Sequence, residues 1–130
     1  MMERISFGDG AEMADALLTL VLVGRKTATC APLREYEKEG AALPRTGERK
    51  IVLNGKGQPA CVIEYTAVDC AAFSAIDASF AAAEGEGDGS LADWRTIHQE
   101  FFQNHGGFSP DMMLVCRKFC VVERLPGSAT

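Results

Sequence analysis

Three features of the sequence predict an α+β fold, built as a small, mostly antiparallel β-barrel with helices around it. Strand-like segments rich in Val, Ile, Tyr and Thr recur without a regular strand–helix–strand alternation. Two of them bracket Asn54-Gly55-Lys56-Gly57-Gln58-Pro59, a run whose chemistry favours a hairpin turn. Two amphipathic helical stretches lie on either side of that pair. Closing the sheet on itself would hide its edges from water.

The first helix is expected over Ala11 to Val23, where Met13, Leu17, Leu20 and Val21 repeat at helical spacing and Leu18 and Leu22 widen the stripe. Gly24 suits the stop, since it accepts a left-handed backbone without steric cost. Thr27 to Cys30 is β-branched enough to begin a strand. Pro32 suits a first helical position, and Leu33 to Lys38 reads as a short helix closed by Gly40. Lys50 to Leu53 and Ala60 to Val68 are the hairpin strands, and Ile76 to Ala83 is a short helix. Ser90, with Asp93 three residues on, resembles a capping box for a helix reaching about Asn104. Leu91, Trp94, Ile97, His98, Phe101 and Phe102 form its apolar stripe. Met112 to Val122 is apolar on both faces and reads as a central strand. The chain is expected to be a single domain over 1–130, with its core over about 7–122 and a disordered tail at 126–130.

Apolar residues make up 47% of the 130-residue chain and charged residues 24%, the balance of a soluble globular protein with a substantial core. No apolar run approaches the ~20 residues of a membrane span, and Met1-Met2-Glu3-Arg4 lacks the order of a secretory signal. The five cysteines form no Cys-x-x-Cys pair and mostly sit among apolar neighbours, so reduced, buried thiols in a cytoplasmic protein are expected, without a zinc site. A net charge of −5 argues against sequence-blind binding to long nucleic acid. Seven acids and no Lys or Arg lie between Gly57 and Trp94, so the remainder can present a locally basic face from Arg25, Lys26, Arg34, Arg45, Arg49 and Lys50.

Two segments concentrate chemistry. Arg25-Lys26-Thr27-Ala28-Thr29 places an amine and two hydroxyls just past the first helix. Glu84-Gly85-Glu86-Gly87-Asp88-Gly89 places carboxylates on a flexible backbone. Taken alone, each has an ordinary reading. Lys26 would partner a helix dipole, the threonines would be strand residues, and the acidic loop would be a solvated turn. Arg95 would form a surface ion pair or contact a phosphate, and His98 on its apolar stripe reads as a core histidine.

The apolar helix ending in Gly24-Arg25-Lys26-Thr27, the hairpin around Gly55, the acidic loop with Ser90-Leu91 and Trp94-Arg95 after it, and the last strand at Met113-Leu114-Val115-Cys116 together resemble the ASCH domain family. The resemblance spans about Phe7 to Val122 and implies a PUA-like barrel with RNA or modified nucleosides as ligands. Relatives of known activity include an amidohydrolase that deacetylates acetylcytidine and a metal-dependent ribonuclease. Carried over residue by residue, the amidohydrolase pattern implies catalytic roles for Lys26, Thr29 and Glu86, with Glu84 as an alternative register for the acid. Arg25, Thr27, Glu84, Asp88 and Arg95 are the substrate-binding candidates. The chain departs from the short amidohydrolases in its extra helix around Tyr36 and its longer acidic loop.

Amide hydrolysis needs a nucleophile, a base and oxyanion stabilisation. Thr29 offers the hydroxyl. Lys26 is a base only if burial or a cation such as Arg25 lowers its pKa; otherwise it stabilises the oxyanion. Residues three apart lie on opposite faces of a regular strand, so Lys26 and Thr29 converge only if the chain turns between them, whereas Thr27 and Thr29 share a face. The expected ligand is a nucleoside or short RNA, with no cofactor and no membrane partner. The alternatives are a ribonuclease using a divalent cation on Glu86 and Asp88, and a non-catalytic RNA-binding module.

Overall fold

The structure is a computed structural model that describes residues 2–128. Five strands form one sheet in the order β1-β3-β4-β5-β2. They are β1 (Glu3–Ile5), β2 (Ala28–Pro32), β3 (Arg49–Leu53), β4 (Pro59–Ala72) and β5 (Met113–Arg124). β3, β4 and β5 are an antiparallel meander in the interior of the sheet. β2 joins one edge antiparallel to β5, and β1 joins the other edge parallel to β3. Both edges are thus supplied by the first third of the chain. The sheet curls into a half-barrel, and α1 (Ala11–Leu22), α2 (Leu33–Glu39), α3 (Ala78–Glu84) and α4 (Leu91–Asn104) surround it.

The expected helices and hairpin are present with shifted ends. Gly40 closes α2 at φ 63°, as its position suggested. β4 runs four residues past Val68, because residues 69–72 pair with the start of β5. α3 begins at Ala78 instead of Ile76, because the Asp77 side chain caps it by accepting the Phe80 N–H at 2.8 Å. Ile76 is buried ahead of it, after a 3₁₀ turn at Phe73–Ala75. β5 is interior, and its cover ends at Phe119: Leu114, Val115, Cys116 and Phe119 are buried, whereas Cys120 to Arg124 are exposed. Pro126–Ser128 forms a 3₁₀ turn instead of a frayed tail, with Asn54 donating to the Gly127 carbonyl at 3.1 Å. Ala129 and Thr130 of the expected tail lie outside the described residues.

Two apolar clusters fill the molecule. One packs Leu18 and Val21 of α1 against Val52, Ile63, Tyr65 and Phe119 of the sheet. The other packs Trp94 and Phe102 of α4 with Phe73, Ile76, Phe80 and Leu114. Of the cysteines, Cys61 and Cys116 are buried, Cys30 is partly exposed, and Cys70 and Cys120 are exposed on outer strand positions, so the thiols are less buried than their neighbours in sequence suggested. No helix among the described residues is long and apolar enough to cross a membrane.

Candidate active site

A cavity of about 360 Å³ opens where the two clusters meet. Its apolar walls include Phe7, Met13 and Leu17 on one side and Ile97 and Phe101 on the other. Its polar end is formed by Lys26, Thr29, Cys30, Glu84, Glu86 and His98.

Lys26 reaches this position because Gly24 turns at φ 80° directly after α1. The Arg25 and Lys26 N–H groups then both donate to the Leu20 carbonyl, and the chain enters β2 at Ala28. The ammonium is 2% exposed. It donates to Glu84 Oε1 and to Glu86 Oε2, each at 2.9 Å. Both carboxylates face one amine because α3 ends at Glu84 and Gly85 reverses the chain at φ 67°. A Cβ at Gly85 would collide with the Arg25 carbonyl, so glycine is needed twice over there.

Burial disfavours charge on Lys26, but the two carboxylates outweigh it, and its pKa is raised above the ordinary lysine value. Arg25 does not counteract them: its guanidinium turns away and donates to the Gly87 carbonyl at 2.8 Å. Lys26 is therefore a fixed cation, suited to a developing oxyanion and not to proton abstraction.

The two glutamates are not equivalent. Glu84 is 1% exposed and its Oε2 is crowded: Trp94 Nε1 donates at 2.8 Å and Cys30 Sγ at 3.3 Å, and His98 Nε2 lies 3.3 Å away. Burial opposes its ionisation, yet Lys26, His98 and Trp94 together hold its pKa far below the usual carboxylate range. Glu86 has the same ammonium but keeps 17% of its side chain exposed toward the cavity. Glu84 is therefore enclosed on all sides, whereas Glu86 is the more accessible of the pair.

His98, read from its stripe as a core residue, lies at this polar end. Its ring stacks on Trp94 at 4.3 Å. Nδ1 faces the Trp94 carbonyl at 2.9 Å, which can only accept, so Nδ1 carries a proton. Burial lowers the pKa of the ring, but Glu84 and Glu86 raise it by more. The apolar periodicity of α4 hid this histidine; its placement one turn after Trp94 was the available signal. Burial and Glu84 push the Cys30 thiol well above its ordinary value, so it is a neutral hydrogen-bond donor.

Lys26, Thr29, Glu84 and Glu86 thus line one cavity. Four other candidates do not. Thr27 is exposed, its hydroxyl donating to the Ala83 carbonyl at 3.3 Å on the far side of the strand start. Asp88 is fully exposed and accepts from the Ser90 N–H at 2.8 Å. Arg95 is exposed on the outer face of α4, and Arg25 is used on the loop backbone. The expected basic face is also dispersed: Lys26 is buried, Arg34 donates to the Gly107 carbonyl, Arg49 pairs with Glu64, and Lys50 pairs with Glu3 and Glu48.

The family model for the ASCH domain matches residues 3–123. The chain belongs to the ASCH domain family. Its fold is close to that of an ASCH domain from Lactobacillus crispatus JV V101, at a TM-score of 0.88 and 34% identity over 95% of this chain and 80% of that one. It is equally close to protein EF3133 from Enterococcus faecalis V583, at 0.88 and 39% identity over 95% and 78%. The hypothetical protein PH0355 shares the fold at 0.61 with 12% identity, covering 94% of this chain and all of that one. No protein of curated function matches the ASCH chain described here.

Proposed function

We propose that this ASCH domain is a hydrolase that removes an acyl group from the exocyclic amine of a modified pyrimidine nucleoside, acetylcytidine being the simplest case. Its family is a superfamily of RNA-binding and hydrolase-like domains. The observation that carries the reading is the charged Lys26 buried beside a more accessible Glu86, with Thr29 lining the same cavity.

In this mechanism Thr29 Oγ attacks the amide carbon while Glu86 takes the hydroxyl proton. The Lys26 ammonium faces the negative charge that develops on the carbonyl oxygen. Glu86 then returns the proton to the departing exocyclic nitrogen as the C–N bond breaks. Water, deprotonated by the same carboxylate, attacks the acyl–threonine ester; the ester C–O bond breaks, Glu86 returns the proton to Thr29 Oγ, and the carboxylic acid leaves. Glu84 holds Lys26 in place throughout. The apolar walls suit a flat base, and Phe7 and Phe101 supply aromatic faces. Among the described residues that line the cavity, no arginine and no lysine other than Lys26 occurs, which favours an uncharged nucleoside over a phosphorylated chain. Asp88 lies outside the cavity, so the carboxylate pair of a metal-dependent ribonuclease gains no support.

Purified protein incubated with acetylcytidine should release acetate, followed by proton NMR, at a rate EDTA leaves unchanged. Thr29→Val should abolish release, and Glu86→Gln should slow it about 10²-fold or more. Silence across a panel of acylated nucleosides at high enzyme concentration would overturn the assignment.

A further inference from the structure

Three donor atoms at the polar end of the cavity take no covalent or proton-transfer part in the deacylation. Cys30 Sγ and His98 Nε2 each lie 3.3 Å from Glu84 Oε2, and the three atoms are all within 4.8 Å of one another. They come from β2, α4 and the end of α3, so folding alone assembles them.

The donor types and the spacing point the same way. A thiol, an imidazole and a carboxylate are the ligand set of zinc, whereas magnesium and calcium take oxygen alone. Nitrogen and oxygen ligands at about 2.0–2.1 Å from a tetrahedral zinc lie about 3.3 Å apart, and a sulfur at about 2.3 Å lengthens its edge to about 3.5 Å. The 3.3 Å between His98 Nε2 and Glu84 Oε2 matches the first of these edges, and the 3.3 Å between Cys30 Sγ and Glu84 Oε2 falls slightly below the second. A charge-assisted N–H···O bond is shorter, at about 2.7–2.9 Å, as the Lys26 contacts are. The supporting contacts that a zinc ligand needs are also present. His98 Nδ1 is committed to the Trp94 carbonyl, which directs Nε2 inward, and Glu84 is fixed by Trp94 Nε1 and Lys26.

We propose that Cys30, Glu84 and His98 form a zinc site whose fourth position faces the cavity. The proposal does not rest on the deacylation reading, and its test measures no turnover.

The full chain, freed of metal with a chelator, is titrated with Co²⁺ as a spectroscopic probe of the zinc site. A thiolate-to-cobalt absorption in the near-ultraviolet should grow to one equivalent and be displaced by Zn²⁺. Cys30→Ser should abolish the band, and Cys70→Ser should leave it. His98→Gln should weaken cobalt binding about tenfold or more. Far-ultraviolet dichroism identifies variants that remain folded. For the parent chain, the Zn²⁺-induced rise in melting temperature is a second readout, expected to vanish in Cys30→Ser and to shrink in His98→Gln. No band at millimolar Co²⁺, or a band that survives Cys30→Ser, would overturn the proposal.

Discussion

Lys26 is held charged by two carboxylates of unequal burial, and the proposed mechanism gives them separate tasks, Glu84 in stability and Glu86 in proton transfer. Replacing Glu84 leaves the Trp94 and His98 donors facing a weaker acceptor in a dry site. Glu84→Gln should cost about 3 kcal/mol, measured by urea unfolding, the magnitude seen when one partner of a buried ion pair is removed. Glu86→Gln keeps the Lys26–Glu84 pair and should cost about 1 kcal/mol, while deacylation falls about 10²-fold or more. Equal losses of stability in the two variants would contradict the division of roles. The amine and Thr29 were legible as a motif. The register of the acids was not, because Glu84 and Glu86 are two apart in a glycine-rich run, and only the left-handed turn at Gly85 aims both at one amine. Cys30 escaped notice because it sits in an apolar stretch that reads simply as strand.

At the scale of elements, α4 carries the site and is fastened at both ends. Ser90 Oγ accepts the Asp93 N–H at 3.1 Å, as its position predicted. The reciprocal half of a capping box is absent: the Asp93 carboxylate accepts from the Asp88 N–H at 2.9 Å instead, tying the acidic loop to the helix. Ser90→Ala should lower stability by about 1 kcal/mol in thermal or urea unfolding. At the other end, His105 Nε2 pairs with Asp9 at 2.9 Å, joining α4 to the loop before α1 across the rim of the cavity. This partner raises the histidine pKa above its ordinary 6.5. A raised value means the tie is fully made below pH 6.5 and is lost as pH rises through the higher folded value. NMR titration should report that elevation, and Asp9→Asn should remove it. Among elements, the helices were readable from periodicity and caps. β1 was not, because three residues show no alternation and its parallel pairing with β3 is set by residues 47 positions away.

The whole molecule is acidic, and Arg25, Lys26, Arg34, Arg49 and Lys50 are engaged by carboxylates or backbone carbonyls. Turnover of an uncharged nucleoside should therefore change less than about twofold between about 50 and about 200 mM salt, whereas phosphate recognition loses affinity steeply over that range. Kinetics of acetate release in a salt series checks this. The α+β class and the barrel-like sheet could be read from the hairpin and the irregular order of elements. The dispersal of the basic face could not, since it depends on which carboxylates the sheet places opposite each cation.

The ordering of the strands has a practical corollary. Residues 2–40 hold the amine, the alcohol and both outer strands, whereas residues 48–128 hold the acids and the three inner ones. The exposed stretch at 41–47 joins them. Severed there, neither fragment owns the whole of the proposed reaction centre. Recovered turnover would therefore serve as a direct reporter that the two pieces had found each other and clasped.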